Sequence, residues 1–147
     1  MNTHPVITAL DEQLACYRWL ARLVEAQRDH VRQMRTEALL DILKTRQEVM
    51  DRLKALHEVI APVTRRWADF LHEIGSESRA RAEECIAQSR QLLQQITASD
   101  QDDALVLQQQ KLSVGREIKQ ASTARQINRT YAAAAYGTRS ARMDVQR

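Results

Sequence analysis

LLDILKTRQEVMDRLKALHEVIAPVTRRWADFLHEI, residues 39–74, decides the fold class. Its apolar residues, Leu39, Ile42, Val49, Leu53, Leu56, Ile60, Val63, Trp67, Phe70 and Ile74, recur in alternating short and long steps, and Arg46 alone breaks the series. An average step near 3.5 residues keeps one stripe of a helix turned toward a partner helix along its length. Such a helix runs roughly 50 Å at about 1.5 Å per residue, too far to leave an apolar seam in water. Other helices of this chain, or of another chain, must cover it. The expectation is an all-α fold: an elongated antiparallel bundle of three to four long helices with coiled-coil-like packing. Function stays open at this point, because bundles carry many unrelated activities.

Upstream, Ile7, Leu10, Leu14, Tyr17, Ala21 and Val24 repeat the alternation, with Leu20 and Leu23 widening the stripe. A first helix is expected from about Thr8 to Met34. Thr36 is a candidate N-cap for the second helix, and so short a connection forces the two to lie antiparallel. A first helix running straight through Arg35–Thr36 is the alternative. The second helix is expected over Glu37–Ile74, kinked near Glu58–Ala61 because Pro62 removes one backbone hydrogen bond. Gly75 suits a left-handed cap, with Ser76 or Ser78 restarting the chain.

A third helix over Glu77–Thr97 carries a thinner seam: Ala82, Ile86, Ser89, Leu93 and Ile96. Thr97–Asp103 reads as a loop leading into a fourth helix, since Ser99 can cap and Asp100, Asp102 and Asp103 suit a positive helix end. That helix is expected to run from Asp100 to Tyr136 and stop at Gly137. The domain expectation is one bundle over residues 1–137 and a basic, disordered tail over residues 138–147.

The 147 residues include only 3 Gly, 2 Pro and 4% aromatics, a composition of long helices. Net charge is +3. Lys and Arg concentrate at the C-terminal end, where Lys111, Arg116, Lys119, Arg125, Arg129, Arg139, Arg142 and Arg147 face only Glu117 and Asp144. These cations do not gather on one helix face, so a nucleic-acid partner is disfavoured. Cys16 and Cys85 sit in no metal or redox spacing. His4, His30, His57 and His72 are scattered, and no glycine-rich phosphate loop occurs. The expectations are no enzyme activity, no metal, no cofactor and no small-molecule substrate. With no apolar run long enough for a membrane span and no leader pattern at the N-terminus, a cytoplasmic location without membrane insertion is expected.

The last helix carries the strongest functional signal. At about 100° per residue, Leu107, Val114, Ile118, Ala121 and Ala132 share one face, Leu105 and Leu112 lie roughly opposite, and Ile127 and Tyr131 fall to one side. Apolar groups are thus spread over more than one face and are sparse on each. Either the helix is buried on two sides of its own bundle, or it docks an amphipathic helix from another chain. Tyr131, four alanines, Tyr136 and Gly137 would let a partner backbone approach, or would simply end a helix.

The layout resembles the flagellar export chaperones of the FlgN type. The likeness rests on the paired Leu39–Leu40 before a charged helix with a regular leucine seam, and on Asn128, Tyr131 and Tyr136–Gly137 near the end of the last helix. It implies a non-enzymatic chaperone that binds the C-terminal helical segments of hook-associated proteins of the hook–filament junction and delivers them to the export gate. Cargo would fall on Leu105, Leu112, Ile118, Ile127 and Tyr131, and a tyrosine, Tyr131 or Tyr136, would contact the gate. Pro62 and the basic tail depart from the family's pattern. The rival readings are a self-associating structural coiled coil, a homodimer through the residue 39–74 seam, and a basic-tailed nucleic-acid binder.

Overall fold

The computed structural model describes the backbone of residues 4–145 and the side chains of residues 4–135. Four helices follow in order: α1 (Pro5–Arg32), α2 (Thr36–Thr64), α3 (Trp67–Glu73) and α4 (Gly75–Val145). The chain divides into two units, residues 1–106 and residues 107–147.

In the first unit, α1, α2 and residues 75–106 of α4 form an up-down-up bundle. The sense of each pairing is set by its polar contacts. Glu12 meets Arg52 and Gln27 meets Arg46, so α1 and α2 are antiparallel. Asp11 meets Arg81, Arg18 meets Gln88 and Gln27 meets Asp103, so α4 runs parallel to α1. One core cluster joins Ile7, Leu10 and Leu14 to Leu56, Ile60, Val63, Phe70, Ala82 and Cys85. A second joins Leu20 and Val24 to Val49, Leu53 and Ile96. The all-α expectation holds, and the long seam of residues 49–70 is filled from within the chain.

Helix starts depart from the sequence reading in instructive ways. His4, not Thr8, opens α1: its Nδ1 accepts from the Val6 N–H at 3.1 Å, and Pro5 occupies the first turn, where its missing donor costs nothing. Thr36 is not an N-cap but the first residue of α2, and Arg35 precedes it without a side-chain cap. The reversal is made upstream. The Gln33 and Arg35 N–H groups donate to the Asp29 and His30 carbonyls, and Met34 takes φ 55°, turning the chain back.

The second helix is broken, not merely kinked. Pro62 leaves the Glu58 carbonyl without its helical donor. Two residues on, α2 ends at Thr64, the Arg66 N–H donates to the Val63 carbonyl at 3.0 Å, and Arg66 leaves helical geometry at φ −126°. The short α3 then restores the seam's phase and places Phe70, fully buried, edge-on to His4 at 4.9 Å between ring centroids. Gly75 at φ 77° makes the next turn.

The expected loop at Thr97–Asp103 does not exist. α4 passes through it unbroken and continues beyond Gly137, the expected stop, to Val145. The aspartates that look like an N-terminal cap have partners elsewhere in the bundle, and a glycine inside a helix costs only about 1 kcal/mol relative to alanine. Of the basic tail, Gln146 and Arg147 lie outside the described residues.

Candidate functional site

Every buried side chain among the described residues lies between Val6 and Asp103. Residues 107–135, the described side chains of the second unit, are helical yet expose Leu107, Leu112, Val114, Ile118, Ile127 and Tyr131. Tyr131 is 73% exposed and Ile118 65%. Helix geometry sorts them. Leu112, Ile127 and Tyr131 fall within an arc of about 100°, whereas Leu107, Val114 and Ile118 occupy a narrow stripe on roughly the opposite side.

The five residues expected to take cargo are therefore not one patch. Ile127 and Tyr131 lie together on a surface shared with Thr123, Gln126 and Thr130. The Thr130 hydroxyl is turned back onto the Gln126 carbonyl at 2.9 Å. Leu112 is on the same side of the helix, and Ile118 faces away. Leu105 belongs to the first unit, where it is 60% exposed. The side chain of Tyr136 lies outside the described residues.

The first unit carries two features that the sequence reading missed. One is a polar layer where three helices meet. Arg46 of α2 donates through Nη1 and Nη2 to the two carboxylate oxygens of Asp100 at 2.8 and 2.7 Å, and through Nη1 to Gln27 Oε1 at 2.6 Å. Gln27 Nε2 in turn donates to Asp103 at 3.1 Å, and Arg28 lies 3.7 Å from the same carboxylate. The hydrogen bonds to Asp100 outweigh burial and hold the Arg46 guanidinium above its ordinary pKa, so the cation is fixed. The break at Arg46 in the apolar series was the available signal, but its partner stands 54 residues away in sequence.

The other is a groove of about 380 Å³ lined by Tyr17, Met50, Leu53, Leu93 and Ile96 together with Lys54 and His57. On α4, Cys85, Ile86 and Leu92 pack on the core, whereas Leu93, expected in the seam, stays 46% exposed and lines this groove.

The cysteines are free. Burial, together with a hydrogen bond to Asp11 Oδ1 at 3.2 Å, pushes the Cys85 thiol up to about 11. Burial also raises Cys16. Among the described residues, no three His, Cys, Asp or Glu side chains gather in a way that could hold a metal ion, and no helix is long and apolar enough to cross a membrane.

Over residues 1–136 the chain matches the family described as FlgN protein. It belongs to the FlgN family. The match spans both units and ends at Tyr136, so the exposed stretch 107–135 is part of what makes the chain a FlgN protein. FlgN membership brings a flagellar export chaperone role in general terms. No curated protein and no solved structure matches the chain.

Proposed function

We propose that this FlgN protein is a cytoplasmic, non-enzymatic chaperone that binds the C-terminal helical segments of hook-associated proteins and delivers them to the flagellar export gate. One observation carries the reading: residues 107–135 of α4 expose Leu112, Ile127 and Tyr131 on one side and Ile118 on the other, and no described side chain of that stretch is buried. An amphipathic helix from cargo supplies the apolar partner these residues lack, and apolar burial dominates such docking. Leu105 extends the contact, and Tyr131 or Tyr136 meets the gate.

The test is a binding measurement between purified chain and C-terminal segments of hook-associated proteins from the same cells. Replacing Leu112, Ile127 or Tyr131 with Asp abolishes binding and leaves the circular dichroism spectrum unchanged, and Ile118→Asp, on the opposite side, reports whether cargo also covers that side. Truncation after Gln110 has the same effect on binding. Full binding by the truncated chain would move the site to the first unit, and unfolding of the Asp variants would mean these residues are core.

A further inference from the structure

Residues 107–135 carry five cations, Lys111, Arg116, Lys119, Arg125 and Arg129, against the single carboxylate of Glu117. Two of these cations belong to an apolar stripe, Arg116 inside it and Lys119 at its border beside Leu112. Arg116 and Lys119 fall between Leu112 and Ile127 on the same side of the helix, and they line one hollow with Gln120, Thr123, Ala124 and Ile127. Neither makes an ion pair among the described residues.

In water that arrangement is harmless. Under a docked helix it is not, because a cation removed from solvent without a counter-charge is strongly unfavourable. An all-apolar partner seam would leave both cations stranded. A phosphate backbone would satisfy them but has no use for Leu112, Ile127 and Tyr131. The partner that satisfies cations and apolar groups together is a helix with acids set into its seam.

We propose that the occupant of this face is an amphipathic helix whose seam reads apolar, acidic, apolar. Its two apolar anchors sit about 22 Å apart, the separation of Leu112 and Ile127 at about 1.5 Å per residue. Between them Asp or Glu side chains meet Arg116 and Lys119, and the planar Arg116 fork takes a carboxylate in a bidentate pair. These charge pairs fix the register of the docked helix, as a polar residue does in a coiled-coil seam. The inference rests on reading this face as the cargo site and names the chemistry of the cargo helix.

The experiment uses the full chain and three labelled synthetic helical peptides that share one leucine seam and differ at two interior seam positions, Glu, Gln or Lys. Fluorescence anisotropy should give the Glu peptide about tenfold tighter binding than the Gln peptide, with the Lys peptide weakest. Arg116→Gln with Lys119→Gln should erase the preference while still binding the Gln peptide, and Arg116→Glu with Lys119→Glu should invert it. Equal binding of Glu and Lys peptides overturns the acidic seam and leaves apolar docking standing. Binding of no peptide removes the docking reading and this inference with it. Tighter binding of duplex DNA than of the Glu peptide, lost in the Arg116→Gln, Lys119→Gln chain, overturns it in favour of nucleic acid.

Discussion

Arg46 and Asp100 face each other across the α2–α4 seam in a two-pronged pair, both N–H···O distances under 3 Å, at 2.8 and 2.7 Å. The pair joins α2 to α4 at the level where α1 contributes Gln27. Slipping α2 by one heptad would carry Arg46 away from Gln27 and leave Asp100 without its guanidinium partner. The layer therefore specifies register more than it adds stability, since both side chains keep some solvent contact.

Asp100→Ala should destabilise the chain by about 1–3 kcal/mol, the range for losing hydrogen bonds to a charged partner that is partly desolvated. Urea unfolding gives the value. A cycle with Arg46→Met should recover much of the loss in the double variant, and a strictly additive result would show that the pair is not coupled.

Ser89→Ala should stabilise. Ser89 is buried and its Oγ has no hydrogen-bond partner, so the hydroxyl contributes desolvation without return. Removing it and gaining alanine's helix propensity should add about 1 kcal/mol. A lower thermal midpoint would point to a water held by that hydroxyl.

Gly75→Ala should cost about 1 kcal/mol for conformational reasons alone. At φ 77° an L side chain is strained, yet an added Cβ would meet nothing within 4 Å. Asn at the same site should recover part of the loss, because it tolerates the left-handed region better than Ala. Equal stability of all three variants would show that the turn relaxes freely.

Cys85 should alkylate slowly in a Cys16→Ser background. With its pKa moved from 9.0 to about 11, the thiolate fraction at neutral pH falls roughly a hundredfold. The folded state holds this proton more tightly than the unfolded state. The thiol's stabilising contribution is therefore complete below about pH 9 and lost as pH rises through about 11. Reaction of native protein as fast as denatured protein would contradict the buried, hydrogen-bonded thiol.

A chain ending at Val106 should keep cooperative unfolding with a thermal midpoint within a few degrees of the full chain, as all buried side chains among the described residues lie before that point. A large drop would reveal tertiary support from residues 107–147.

Much of this was legible in sequence, and the failures have physical causes. The seam is buried at Val49, Leu53, Leu56, Ile60 and Val63 of α2 and at Phe70 of α3, as its spacing implies, with Trp67 half-buried. The same arithmetic could not choose between Leu92 and Leu93, because adjacent apolar residues offer two registers and only a partner helix selects one. Asp100 and Asp103 carry the signature of a helix start, yet a cation 54 residues upstream uses one of them in mid-helix. Local capping chemistry cannot see a partner so remote. Of the candidate cargo residues, the helix period correctly separates Ile118 from Leu112, while nothing local signals that Arg116 and Lys119 stand in the stripe as meaningful charges until a partner is considered.

Gln27, Arg46 and the residues of the two core clusters answer to the fold, and any substitution there is filtered first by whether the bundle still assembles. No such filter reaches residues 107–135, where no described side chain is buried. Their identities are free to drift with whatever they touch. On the proposed reading, selection on that stretch is selection by the partner, and its pattern of change across lineages should track the changing sequence of the cargo, not the bundle that carries it.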